Sequence, residues 1–382
     1  SSSAASDVYK RQVLERNTNN NSLILGKQFN KRQKRFRLYE DIPSPAHKST
    51  YFTPNLNYNA YDGLLLGMVF HNGLILNQPS TFFVSPFYAT KKKNLAGSFS
   101  VLHRSYFQDR KLSGINYSFG LKSFHFDENN RYYRISPEIF ATFKPEGLSS
   151  NKRYTVGLQL ISLLRGNSIQ NNYDDFYVGS LSYALANSNS AISKLFGVNL
   201  QVGESFQKVA ASYQNRKYYT DARQYTYRIF LGFLADTNNS GNYDFGISRV
   251  NDYSFNFNFL GRSERTGIYS QQYVLADAGF KSFIPVQTAN QWVLSSNLGT
   301  TIWRSFELYG DVGWIKNKGK KFDFIYDAGF SLNLLQDYLA LYFPVYSNLG
   351  WEVNHASYST KIRFTLSLKS SEIISLFTRS WF

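Results

Sequence analysis

A chain of 382 residues with 42 Lys and Arg against 26 Asp and Glu carries a formal charge of +16, and its lack of cysteine excludes disulfide frameworks, thiolate metal sites and cysteine nucleophiles. Aromatic residues make up 18% of it while the hydrophobic fraction is an ordinary 43% and the mean hydropathy is -0.36, a pairing that suits strands with aromatic girdles and a polar interior. No run approaches the roughly 18 apolar residues of a spanning helix, so any membrane passage is expected to use strands.

Within SSSAASDVYKRQ, the stretch Asp7 to Gln12 resembles the translated end of a sequencing-library adapter. Residues 1–12 therefore read as a cloning scar, with the natural chain expected to continue upstream. Residues 13–50 are polar, Asn-rich and basic, and Pro43 and Pro45 close them, as in a linker or periplasmic stub; Phe36 and Leu38 could make a short strand there. The run Lys31, Arg32, Lys34, Arg35, Arg37 looks like a nucleic-acid patch, but no recognition helix, zinc finger or RNP-like motif accompanies it. A solvated or lipid-facing cluster is the better reading, and no nucleic-acid partner is expected.

Residues 51–370 read as a transmembrane barrel. YFTPNLNYNAY turns at Asp62-Gly63 into LLLGMVFHNG. STFFVSPFYAT, LAGSFSVLH, SGINYSFGLKSFHF, RYYRISPEIFATF, RYTVGLQLIS and FYVGSLSYALA follow, and a further strand begins at Leu195 and reaches as far as Tyr213. QYTYRIFLGF, DFGISRVNDYSFNFNF, QQYVLADAGFKSF, WVLSSNLGTTIW and FELYGDVGWI come next. The plainest alternation is in KFDFIYDAGFSLNLL, where Phe322, Phe324, Tyr326, Ala328, Phe330, Leu332 and Leu334 share one face and Asp323, Asp327, Gly329, Ser331 and Asn333 the other. After YLALYFPVYS, the stretch Lys361 to Leu368 sets Ile362, Phe364, Leu366 and Leu368 against Lys361, Arg363, Thr365 and Ser367.

The tally implies an all-β, antiparallel barrel of about 16 strands, since closed bacterial barrels take even numbers and every backbone group in hydrocarbon needs a partner. Pro86, Pro137 and Pro344 lie inside candidate strands and mark bulges or rim positions. Residues 371–382 break the alternation, with Ile373, Phe377 and Trp381 at helical spacing as in a short amphipathic segment, and the terminal Phe382 resembles the signature read by the barrel assembly machinery.

Enzymatic motifs are not found. Asp236, Asn238, Ser240, Gly241 and Asp244 superficially resemble a calcium loop, but Ile247 stands where a bidentate Glu belongs. His47, His71, His103, His125 and His355 form no HExxH pair, and GxSxG and P-loop motifs are lacking. No catalytic, cofactor-binding or metal-binding residue is assigned. Glu307, Asp311, Asp323, Asp327, Lys361 and Arg363 are the lumen-facing polar candidates, forming a structural network or a permeation path, with the network favoured.

NYNAYDGLLLGMVFHNGLI, DYSFNFNFLGRSERTGIYSQQYVLADAGFKSF, ELYGDVGWIKNKG and YLALYFPVYSNLGWEVNHASYSTKIRF resemble the C-terminal outer-membrane barrel region of Bacteroidota aminopeptidase N-like (gluzincin) zinc metallopeptidases. The resemblance covers about Phe36 to Phe382 and implies a fragment that anchors, or serves as conduit for, a peptidase domain lying upstream. Zinc would belong only to that missing domain, because its HExxH helix and Gly-x-Met-Glu-Asn loop have no counterpart here. The implied surroundings are outer-membrane lipid and the barrel assembly machinery of a Gram-negative cell. Rival readings are a stand-alone porin or transporter for small solutes or peptides, an insertase or secretion barrel with an Arg-Gly-Phe/Tyr lumen loop, approached only at Arg165-Gly166-Asn167, and a soluble β-sandwich adhesin.

Overall fold

A computed structural model describes residues 33–38, 47–72, 78–107, 111–145, 150–165, 175–219, 223–236, 241–257, 259, 261, 267–335 and 339–366. In chain order its strands are β1 (Gln33–Leu38), β2 (His47–Asn59), β3 (Gly63–His71), β4 (Ser80–Ala89), β5 (Asn94–Tyr106), β6 (Leu112–His125) and β7 (Arg131–Phe143). Then come β8 (Lys152–Arg165), β9 (Phe176–Ser188), β10 (Ile192–Gly203), β11 (Phe206–Tyr218), β12 (Gln224–Asp236) and β13 (Phe245–Gly246). The last are β14 (Thr288–Ala289), β15 (Trp292–Trp303), β16 (Phe306–Lys316), β17 (Phe322–Leu335), β18 (Leu339–Ser347), β19 (Gly350–Trp351) and β20 (Arg363–Leu366). One helical turn, α1 (Tyr358–Lys361), precedes β20. Among the described residues no helix is long and apolar enough to cross a membrane.

Eighteen strands form one sheet, and β13 pairs only with β14. With β1 and the two-residue β19 set aside, the remaining sixteen run as an antiparallel meander. Each pairs with its successor from β2 to β12, β12 pairs with β15, and β15 to β18 lead on to β20. β1 lies parallel on the outer side of β2, with Gln33 opposite His47. Among the described residues no ladder joins β20 to β2.

Period two decides which side chains point where. In β17, Phe322, Phe324 and Leu334 are exposed while Ile325, Asp327 and Ser331 between them are buried. Likewise Tyr177 and Leu181 of β9 are exposed and Phe176, Val178 and Ser180 buried; in β12, Leu231 and Phe233 are exposed, Phe230 and Leu234 buried. The apolar sets named from sequence thus face outward, and the hydroxyls and charges face in.

The prolines interrupt ladders as their missing N–H groups require. Pairing of β3 with β4 lapses between Gly67↔Phe87 and Phe70↔Val84, around Pro86. Pairing of β7 with β8 lapses between Ile135↔Ser162 and Glu138↔Gln159, around Pro137, and the β17–β18 register shifts beside Pro344. The Asp62-Gly63 hairpin is also present: Gly63 takes φ +78°. Asp62, fully buried, accepts from Asn59 Nδ2 at 2.6 Å, from the His125 N–H at 3.1 Å and from His125 Nδ1 at 2.5 Å, which ties that turn to the end of β6.

Several expectations need correction. The strand expected from Leu195 to Tyr213 is two, β10 and β11, folded back at Glu204 and Ser205. β2 begins at His47, so the barrel region starts ahead of residue 51, and Phe36 and Leu38 do lie on a strand. Lys361 is not on the last strand but ends α1, because His355 to Ser359 form turns that delay extended backbone until Arg363. DFGISRVNDYSFNFNF and QQYVLADAGFKSF are not wall strands; among the described residues that stretch carries β13, a 3-10 turn at Gly267–Gln271 and β14 in mostly irregular backbone. Residues 1–12, 371–382, Lys31 and Arg32 of the basic run, Gly166-Asn167 and Asn238 and Ser240 of the calcium-like loop lie outside the described residues.

The displaced segment explains the shape of the wall. Gly261 accepts from the Ala60 N–H at the β2–β3 turn at 2.8 Å, and Tyr273 donates its N–H to Phe364 of β20 at 2.7 Å. These two contacts touch the first and last strands of the meander, roughly 70 Å apart were the sheet flat at about 4.8 Å per strand. The intervening chain spans at most about 43 Å when fully extended. The sheet must therefore curl round the segment, which lies inside it.

Candidate functional site: the occupied lumen

The connection from β12 to β15 enters the lumen from the end of the wall that carries the β2–β3, β4–β5 and β6–β7 turns. Its apolar residues meet a matching inner surface there. Phe245, Ile247, Phe280 and Ile284 are buried in one cluster with Leu65, Phe124, Leu163, Val178, Val293 and Ile325 from the wall. Tyr132 stacks on Phe255 at 4.1 Å and Phe206 on Tyr243 at 3.9 Å. The inner face is thus apolar where the segment seats and polar beyond it.

Polar ties fix the segment in register. Arg134 of β7 donates to Ser254 O at 2.9 Å and to Ser136 at 2.7 Å, and also bonds Asn256; Lys208 of β11 reaches Tyr243 O at 3.2 Å. Arg228 of β12 donates to Asp277 O at 2.7 Å and Asn297 Oδ1 at 3.0 Å. Gly279, at φ +79°, passes so close that a Cβ would lie 2.7 Å from Asn297 Oδ1, so only glycine fits.

Lys281 is the centre of the arrangement. Its ammonium lies 2.9 and 2.8 Å from the two oxygens of Asp311, which Asn297 also contacts at 3.1 Å, and 4.8 Å from the Tyr309 ring. Asp327, directly across the β16–β17 ladder from Asp311, accepts the backbone N–H groups of Lys281 at 2.9 Å and Ser282 at 2.6 Å. Arg363, 1% exposed, donates to Ser248 O at 2.6 Å, Lys281 O at 3.2 Å and Gln272 O at 2.9 Å, and approaches Phe280 O at 3.5 Å.

Of the six polar positions expected to face the lumen, Asp311, Asp327 and Arg363 converge on the internal segment. Glu307 lies elsewhere on the inner face, bonded by Gln224 at 2.6 Å and Thr301 at 2.9 Å. Asp323 sits opposite buried Ile315 at the rim. Lys361 instead pairs with fully buried Glu352 at 2.9 Å, outside any strand. Sequence reasoning missed Lys281 because its stretch was assigned to the wall, whereas Arg228 already stood at an inward parity position opposite Ile229 and Leu231. The nearest approach to an Arg-Gly-Phe/Tyr loop, Arg165-Gly166-Asn167, has its last two residues outside the described residues.

Beyond the segment the lumen opens into a cavity of about 1100 Å³. Its lining runs from Asn57 of β2 to Thr365 of β20, including Gln272 and Tyr273 of the segment. Among the described residues no group of His, Asp and Glu is placed to hold a metal.

Asp252, on the internal segment, adds a pH dependence. Burial pushes its carboxyl up from 3.8 to about 6, against the N–H bonds of Asn256 and Phe257 and the charges of Lys122 and Arg134. A native carboxyl that holds its proton more tightly than the unfolded one contributes stability in full below about 3.8, and loses it as pH rises through about 6. The span corresponds to at most about 3 kcal/mol. Relative to Asp252→Asn, the wild-type urea midpoint is expected to fall between pH 4.5 and 7.5; parallel profiles for the two proteins would contradict this assignment.

No family model matches the chain, and no curated protein matches it. A solved structure to which it is similar is CdiB from Acinetobacter baumannii, at 11% identity and a TM-score of 0.36 over 77% of this chain and 54% of that one. The chain thus spans about half the length of that protein.

Proposed function

We propose that this chain is an outer-membrane β-barrel whose sixteen-strand meander closes in the bilayer and whose own β12–β15 connection obstructs the lumen, making it a gated conduit. The observation that carries the reading is the outer surface. Large apolar side chains are exposed along nearly every strand, far beyond the few hundred Å² a soluble monomer tolerates. Exposed aromatics gather near both ends of the wall, with Tyr58, Tyr88, Tyr177, Trp314 and Phe322 at the plugged end and Phe83, Tyr106, Trp303 and Phe306 at the other. Fifteen of the sixteen wall strands run nine to fourteen residues, β20 being described over four, which supports a tilted passage through hydrocarbon. A soluble adhesin would bury this surface against a second layer.

The obstruction weighs against an always-open porin. Wild-type chain in planar bilayers is expected to be nearly silent, while variants that unseat the segment conduct. Large steady conductance from the wild type would overturn the gate, and solubility without detergent would overturn the barrel.

The anchor for a zinc aminopeptidase-like domain rests on the resemblance alone, and an HExxH motif in the upstream coding sequence is its test. Insertion by the barrel assembly machinery belongs to the same proposal.

A further inference from the structure

We propose that the rim opposite the plugged end is a docking surface for anionic phospholipid headgroups, an inference that rests on the membrane-barrel reading and names the lipid beside it. Seven exposed cations line one arc of this rim. Lys144, Lys152 and Arg153 flank the β7–β8 connection, and Lys194 follows the β9–β10 turn. Lys217 and Arg223 flank the β11–β12 connection, and Arg304 sits in the β15–β16 turn. The arc thus runs over eight of the sixteen wall strands, β7 to β12, β15 and β16. Among the described residues none of the seven makes an ion pair, and no carboxylate stands beside them on this rim. Glu307, the second residue of β16, is turned inward onto Gln224 and Thr301. By sequence Asp109, Glu146, Asp221 and Asp337 also fall in connections of this end, fewer than its cations. The plugged end differs: Lys91 and Lys92 there share Glu128 at 3.1 and 3.7 Å, and Asp127, Asp175 and Glu204 belong to the same end.

Two of these cations rest on the aromatic girdle. The Arg304 guanidinium lies 5.2 Å from the centre of the Trp303 ring and the Lys217 ammonium 5.2 Å from that of Tyr219, both rings being exposed. Their charges are thereby set just outside the ring belt that marks a membrane interface, at the depth of headgroup phosphates. Arg304 holds its place at φ +46°, a backbone conformation that glycine or asparagine adopts at lower cost. Successive connections on one rim lie about 10 Å apart, two strand spacings, and that is about one Debye length at 0.1 M salt. The fields of the seven therefore add, and the like charges repel one another until a counter-charge is supplied. Eight strand spacings make the arc about 38 Å long, more than a small anion spans. A leaflet of anionic headgroups supplies charge along all of it, at about fivefold in association for each cation near the surface. The methylene stems of lysine and arginine stay against apolar surface while their heads reach the phosphates.

The test reconstitutes the full chain in phosphatidylcholine vesicles holding a minority of phosphatidylglycerol and uses spin-labelled lipids of both classes to measure which headgroup the barrel retains around it. Spin-labelled phosphatidylglycerol is expected to be held about fivefold over phosphatidylcholine, and KCl at about 1 M to remove the preference. The joint variant Lys152→Gln, Arg153→Gln, Lys217→Gln and Arg223→Gln is expected to bring it below about twofold. The milder pair Lys217→Gln and Arg304→Gln should fall between, whereas Lys320→Gln with Lys321→Gln at the plugged end should change nothing. Retention of the SDS-resistant fold qualifies each variant. A preference that is absent, survives the salt, or is equal in wild type and both rim variants overturns the docking surface and leaves the barrel standing. Polyglutamate held by the wild type in micelles and lost in the rim variants, with no lipid preference, would overturn it in favour of an acidic polypeptide. A chain that inserts into neither neutral nor charged vesicles removes the barrel reading and the rim with it.

Discussion

Arg363→Met is expected to unseat the internal segment and to lower the stability of the wall by about 3–5 kcal/mol, the range for removing one partner from a buried charged network. Arg363 is almost wholly buried, and its guanidinium bonds the carbonyls of Ser248, Gln272 and Lys281, which come from three separate parts of the segment. Its ring contacts with Tyr273 and Phe283, both at 4.9 Å, close the other faces. Methionine fills part of the volume and leaves those carbonyls facing one another without a donor. Arg363→Lys should recover only part of the loss, because one ammonium cannot reach acceptors that a planar fork spans. The exposed pair Lys91 and Glu128, 3.1 Å apart, provides the contrast: Lys91→Met should cost under about 1 kcal/mol. Heat-modifiability midpoints on SDS gels measure the stability, and trypsin cleavage at Arg249 measures release of the segment. An Arg363→Met protein that melts with the wild type and stays uncut would mean that the last strand does not hold the segment.

Period two exposed the wall strands because membrane strands meet two unlike environments along their whole length, so Phe322, Phe324 and Leu334 never exchange sides with Asp323, Asp327 and Ser331. The same pattern misled at residues 245–284. Phe245, Ile247, Phe280 and Ile284 are spaced like strand residues, yet they are buried because the wall surrounds them, and nothing in local spacing distinguishes lipid from an enclosing sheet. Composition held a usable signal, since Gly246, Gly261, Gly267 and Gly279 punctuate a stretch too long for one hairpin loop. The β10–β11 turn was hidden for another reason: Gly203-Glu204-Ser205 lacks the Asn-Gly or Asp-Gly pair that marked Asp62-Gly63. In the site, Asp311, Asp327 and Arg363 were legible as polar residues at inward positions. Their common partner was not, because Lys281 reaches them only through tertiary folding.

Lys281→Met carries the second large effect, a loss of about 3–5 kcal/mol. It removes the ammonium that bonds both oxygens of Asp311, which faces Asp327 across the β16–β17 ladder, the two acids being 0% and 2% exposed. Two carboxylates left so close cannot both stay ionised without a cation, so the cost falls on the wall as well as on the segment. A direct consequence separates this from simple loss of packing. If the penalty is the stranded charge, removing the charge should return most of it, since a buried ion pair replaced by apolar groups of similar volume is often neutral or better. Lys281→Met with Asp311→Leu is therefore expected to be more stable than Lys281→Met alone by about 2 kcal/mol, whereas Asp311→Leu alone is destabilised by stranding Lys281. The resulting coupling energy should exceed about 1.5 kcal/mol, well above the few tenths expected of independent sites. Asp327 keeps its two backbone donors from Lys281 and Ser282 in every variant, so the register of the segment is preserved while the charge changes. Additive losses across the cycle would show that Lys281 serves by shape, and that Asp311 is indifferent to the cation it holds.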